Sequence, residues 1–148
     1  MDELELEFEL DPTLAADTLW MGDFPLCRLL LMNDANYPWF IMVPRRAGVT
    51  EIYHLSLEDR DQLMRESSFL AENLADLFQA RKMNIATLGN QVPQLHVHHI
   101  VRQEHDPAWP QPVWGKVPAV RYSDEAIRDI RERLCRLLCG DLGFTLHA

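Results

Sequence analysis

The 148-residue sequence lacks a cysteine pattern, a long apolar run and any excess of positive charge. Its three cysteines, Cys27, Cys135 and Cys139, are odd in number and without CxxC spacing. That argues against a disulfide framework or a thiolate zinc site and for free thiols packed in the fold. No stretch approaches the roughly 18 apolar residues of a transmembrane helix, and the acidic start is unlike the basic opening of a signal peptide. A cytoplasmic protein is expected. There are 14 basic residues against 23 acidic ones, for a net charge of −9. Six of the acids lie in residues 1–11, which leaves 17 against 14, or −3, for the rest. So mildly acidic a body offers no basic surface to nucleic acid or anionic lipid, although a local cluster of donors can still hold a small phosphorylated ligand. Repeats, linkers and low-complexity blocks are also missing.

What is present is ordinary globular composition, with 47 % apolar and 25 % charged residues and nine scattered prolines. The length suits one domain over 1–148. "ELELEFEL" alternates as a strand does, so residues 1–11 read as an acidic strand or tail, after which Asp11 and Pro12 open a short helix. "CRLLLMN" (27–33) and "WFIMVP" (39–44) form a hairpin closed by Pro44, which has no amide hydrogen for the ladder. Ser56, with Asp59 three residues on, caps a long helix whose Leu63, Leu70, Leu74, Leu77 and Phe78 make one stripe and which ends near Arg81 and Lys82. Residues 83–90 and 94–101 read as two more strands. The proline- and tryptophan-rich 106–118 must be irregular, and Ser123 caps a C-terminal helix stopped by Gly140, within a helical extension over 119–148. The expected class is α+β, a mainly antiparallel sheet covered by the long helix, with an additional C-terminal helix.

The stretch "QLHVHHIVR" (94–102) carries the chemistry. As a strand it sets Gln94, His96, His98, Ile100 and Arg102 on one face and Leu95, Val97, His99 and Val101 on the other. The second face belongs under the long helix, making His99 a core histidine with a local hydrogen-bond partner. His96 and His98, roughly 7 Å apart along the backbone, lie on a face too polar for core. Three readings of that face remain open: a zinc site needing further ligands, solvated histidines without a role, or nucleophilic catalysis on phosphorus. In the last, a neutral imidazole attacks while a second imidazole, a carboxamide and an arginine receive charge on the phosphate oxygens.

The motif resembles the signature of the histidine triad (HIT) superfamily. "LMNDANYPWFIMVPRR" (31–46) is similar to that family's paired strands, and "GNQVP" before the motif to a shortened phosphate-contacting loop, so that roughly residues 12–110 are covered. The resemblance implies a HIT-like fold, cleavage of nucleotides at the α-phosphate through a nucleotidyl-histidine, no cofactor or metal, and a homodimer paired through a sheet edge or helix. Aligning the triad from Gln94 keeps the family's arginine four residues after the last histidine. His96 then becomes the nucleophile, His98 and Gln94 complete the catalytic set, and Asn33, Asn90, Gln91 and Arg102 are the nucleotide-binding candidates. Trp109 and Trp114 stand in a region the family uses for substrate selection.

Gln94 is the departure, standing where the family has its first histidine. Glutamine cannot give up a proton, and loss of a general acid costs ~10² to 10⁴-fold unless the leaving group is already good. A polyphosphate leaves without such help, so the diadenosine polyphosphate hydrolase-like branch is expected over one acting on phosphoramidates. The alternatives are a catalytically weak nucleotide-binding regulatory module and a metal-dependent hydrolase using the histidine cluster.

Overall fold

The computed structural model describes residues 7–148. Asp11 caps helix α1 (Pro12–Asp17), its Oδ1 accepting from the Thr13 and Leu14 amides at 2.8 and 3.3 Å. Strands β1 (Thr18–Asp23), β2 (Cys27–Met32) and β3 (Trp39–Pro44) follow. After a 3₁₀ turn at Ile52–His54 come α2 (Leu57–Phe78), β4 (Lys82–Ala86), β5 (Val97–Arg102), α3 (Asp124–Leu138) and the two-residue β6 (Thr145–Leu146). The six strands form one sheet in the order β4-β5-β3-β2-β1-β6, each neighbouring pair antiparallel. The expected α+β class with a helix-covered antiparallel sheet is the architecture observed.

Alternation sorts the two faces. Leu29 and Leu31 of β2, Phe40 and Met42 of β3, and Val97 and Val101 of β5 pack with Leu63, Leu70 and Leu74 of α2 and Leu134 and Leu138 of α3. Leu30, Trp39, Ile41 and Ile100 pack on the opposite face with Leu14, Ala108 and Val113. The short helix α1 and irregular chain therefore cover the face away from α2 and α3, which explains why β3 reads as an unbroken apolar run and is buried throughout.

The ends of elements depart from the pattern for local reasons. The long helix stops at Phe78 because Gln79 turns left-handed (φ 51°) and Ala80 donates back to the Ala75 carbonyl, so Arg81 and Lys82 lie beyond it and Lys82 starts β4. Strand β5 begins at Val97 rather than residue 94. Its last pair with β3 is Met42 with Val97. The same register sets Pro44 opposite Leu95, where proline has no donor, and the Leu95 amide instead bonds to the Val49 carbonyl at 3.0 Å. Of the acidic start, residues 1–6 lie outside the described residues, and 8–10 are irregular rather than strand. Helix α2 also buries an unforeseen carboxylate: Glu66, 0 % exposed, accepts from the Leu26 and Cys27 amides at 2.9 Å each, holding the start of β2.

Strands β1 and β6 were not expected either. They meet at Gly22, which pairs with Leu146. A Cβ there would collide with the Phe144 ring and the Thr145 carbonyl, and a backbone oxygen cannot swing aside. Gly22→Ala should therefore lower unfolding free energy by about 1–3 kcal/mol, read by urea denaturation, with amide exchange accelerated at 144–147. Unchanged stability would mean that β6 is not docked as described.

Candidate functional site

His96 and His98 come together on the irregularly covered face, their ring centroids 4.9 Å apart. Each ring is fixed by a partner that also fixes its proton. His96 Nδ1 lies 2.7 Å from the Gln94 carbonyl oxygen. A carbonyl only accepts, so Nδ1 carries the hydrogen and the lone pair of the neutral ring sits on Nε2. His98 is the reverse. The Trp39 indole N–H donates to His98 Nδ1 at 3.0 Å, so the neutral ring bears its hydrogen on Nε2. Adjacent rings thus offer one nucleophilic nitrogen and one hydrogen-bond donor.

Burial keeps His98 neutral. Desolvation, with smaller contributions from His96 and His99, drives its pKa down to about 3, and the Trp39 N–H leaves no room for a second proton on Nδ1. The Trp114 ring closes over it edge-on, with centroids 5.1 Å from His98 and 5.7 Å from Trp39. His99 lies on the helix side, as alternation requires, 2.7 Å from Ser67 Oγ of α2. Its pKa falls to about 4 through burial, against the opposing pull of the Val97 and Phe40 backbone.

Both shifts feed into stability. The unfolded chain protonates these rings near pH 6.5, while the folded chain refuses the proton down to about 4 at His99 and about 3 at His98. Their stabilising effect is therefore complete above pH 6.5 and lost progressively below it, at about 1 kcal/mol per pH unit for each ring. Urea midpoints at pH 6 and pH 5 should fall accordingly, and His99→Gln should flatten the slope by about half. A slope unchanged in that variant would contradict the assignment.

Two adjoining clefts open beside the histidines. One, of about 410 Å³, is lined by Thr13, Leu14, Asn90, Gln91, His96 and His98. The other, of about 360 Å³, is lined by Asn33, Asp34, Val113 and Arg121. Asp17, Met32, Trp39, Trp114 and Gly115 border both, so Trp114 stands between two lobes of one groove. Asn33 Oδ1 accepts from the Tyr122 amide at 2.9 Å, and Asp34 Oδ1 takes the Asn36 and Val120 amides at 3.0 and 3.2 Å, tying the β2–β3 turn to the chain that leads into α3.

Asn33, Asn90, Gln91, His96 and His98 thus border the groove; Gln94 and Arg102 do not. The Gln94 amide is occupied elsewhere: Oε1 accepts from the Asp11 amide at 2.8 Å and Nε2 donates to the Glu9 carbonyl at 2.9 Å. Arg102, only 1 % exposed, pairs with Asp106 at 2.9 and 3.1 Å and donates to Asn84 Oδ1 at 2.7 Å and the Gln111 carbonyl at 2.8 Å. Both polar ends of the Gln94 side chain, and the donors of Arg102, thus hold backbone or buried partners away from the groove that the other candidates border. Trp109 lies against the Arg102 guanidinium at 5.6 Å and so packs rather than lining the groove. Trp39, Leu14 and Asp17 were missed. Nothing local in the sequence showed that β3 lies beside β5, the pairing that brings Trp39 to His98.

Among the described residues no three His, Cys, Asp or Glu side chains are grouped to hold a metal ion. No helix among them is long and apolar enough to cross a membrane.

Comparison with known proteins gives a concordant result. The HIT domain family model matches residues 14–105. A histidine triad protein from Marinobacter aquaeolei VT8 is 53 % identical with a TM-score of 0.87, the match covering 88 % of this chain and 96 % of that one. One from Bradyrhizobium japonicum is 41 % identical, TM-score 0.87, covering 88 % and 98 %. One from Sinorhizobium meliloti 1021 is 41 % identical, TM-score 0.88, covering 90 % and 99 %. Curated proteins give no match.

Proposed function

The chain belongs to the HIT domain family, and from that premise we propose that it is a nucleotide hydrolase acting at the α-phosphate of a dinucleoside polyphosphate. The observation that carries this reading is the pair of opposite tautomers, His96 with its lone pair on Nε2 and His98 with its hydrogen there. His96 Nε2 forms a bond to the α-phosphorus while the bond to the bridging oxygen breaks, and the electron pair leaves with the rest of the polyphosphate. The His98 N–H and the amides of Asn90 and Gln91 stabilise the phosphoryl oxygens, with Asn33 on the ribose in the neighbouring lobe. Water then attacks phosphorus, the N–P bond breaks, a proton passes to solvent, and a nucleoside monophosphate is released.

The leaving group decides the substrate. Gln94 is turned to residues 9 and 11, and His98 holds no spare proton above about pH 3. Neither can act as general acid. A phosphate anhydride departs as a stable anion without one, whereas an amine needs protonation. Incubating the protein with diadenosine tetraphosphate and with adenosine phosphoramidate, with and without chelator, should show the anhydride cleaved at least ~10²-fold faster and no effect of chelator. Preference for the phosphoramidate would defeat the substrate assignment. Binding without turnover would replace the hydrolase with a nucleotide-binding module, and loss of turnover on chelation would revive a metal-dependent mechanism.

A further inference from the structure

Residue 94 holds the groove from two sides. Its backbone carbonyl accepts from His96 Nδ1 at 2.7 Å. Its side chain clamps the Asp11 amide and the Glu9 carbonyl, at 2.8 and 2.9 Å, across 83 and 85 positions of sequence. Asp11 passes that restraint on, since its carboxylate caps the amides of Thr13 and Leu14. Helix α1 has six residues, too few to hold its own shape in water, so its place depends on such anchors. Thr13, Leu14 and Asp17 of α1 line the cleft that contains His96 and His98. The Asp17 carbonyl in turn accepts from the Asn33 amide at 3.1 Å, in the adjoining lobe.

We propose that Gln94 is a positioning residue: its side-chain amide latches residues 9–11, and through them the α1 wall of the groove, while its own carbonyl orients the His96 ring. The ligand it serves is the nucleotide of the reading above, on which this inference rests. A histidine at this position would present a single donor and a single acceptor on a ring of different reach, so the glutamine exchanges acid chemistry for a two-point clamp on the chain that closes the groove.

The test uses Gln94→Met, which keeps length and volume without hydrogen bonds, Asp11→Ala, which cuts the next link, and the double variant. Each single change should raise KM for diadenosine tetraphosphate about 10-fold with kcat within about 3-fold, because His96 keeps its backbone partner. The double variant should add little to the larger single effect, since both act on one wall. Without ligand, amide exchange at 13–18 should accelerate in each variant while β5 stays protected. A fall in kcat at unchanged KM would overturn the proposal by making the Gln94 side chain a direct partner of the reacting phosphate. Unchanged KM and unchanged exchange would overturn it as well. If the wild-type protein turns over no nucleotide, the hydrolase reading fails by itself, and the exchange measurement still decides the latch: acceleration at 13–18 supports it and its absence rejects it.

Discussion

Arg102→Met should lower unfolding free energy by about 3–5 kcal/mol, and Tm by about 10 °C, while leaving KM close to wild type in protein kept folded at low temperature. The arginine and Asp106 side chains are only 2 % and 6 % exposed, so truncating one strands a charge where water cannot reach it. Burial pushes the Asp106 carboxyl up, but its bonds from Arg102 and from the Gln103 and Ala108 amides outweigh that and hold it below the ordinary carboxylate range. Asp106 also caps the Trp109 amide at 2.8 Å, so the pair organises the turn from which the irregular segment runs on to Trp114. Adding Asp106→Asn to the variant should recover part of the loss, since a neutral amide tolerates burial better than an unpaired carboxylate. A large rise in KM without loss of stability would put the guanidinium back on the ligand.

His96→Ala should reduce turnover by on the order of 10³-fold or more, against about 10²-fold for His98→Ala. The asymmetry follows from the ring partners. In the proposed reaction, removing His96 deletes the nitrogen that bonds to phosphorus, whereas removing His98 deletes one donor to its oxygens. His98 cannot take over as nucleophile while the Trp39 N–H occupies its Nδ1 and its remaining nitrogen carries the hydrogen. Trp39→Phe releases that lock and should cost about 10-fold in kcat. Steady-state rates of the three variants on one substrate give the ranking, and a larger loss at His98 than at His96 would reverse the assignment of roles.

Much of this was legible in the sequence because the signals were local. Ser56 and Asp59 announced α2, and the capping bond forms at 3.1 Å. Pro44 announced the end of β3. Two-residue alternation put His99 under the helix and His96 with His98 on the other face. What alternation could not supply is the cover of that face along its length. Gln94 and Arg102 share it with the histidines, but residues 9–11 reach one and the turn at 106–111 encloses the other, both contacts set by the path of irregular chain. Strand β1 escaped because Gly22 and a register shift between Trp20 and Gly22 break its periodicity. Strand β6 has two residues, too few for any period to show. The adjacency of β3 and β5, which brings Trp39 to His98, joins segments some 60 residues apart, and no local pattern encodes it.

The proposed reaction turns on a covalent bond between His96 Nε2 and the α-phosphorus. Acid-free rapid quenching of wild-type protein with diadenosine tetraphosphate, followed by peptide mass spectrometry, should find an acid-labile adenylyl group on His96 and none in His96→Ala. An adduct on His98, or one that survives intact in His96→Ala, would contradict the account.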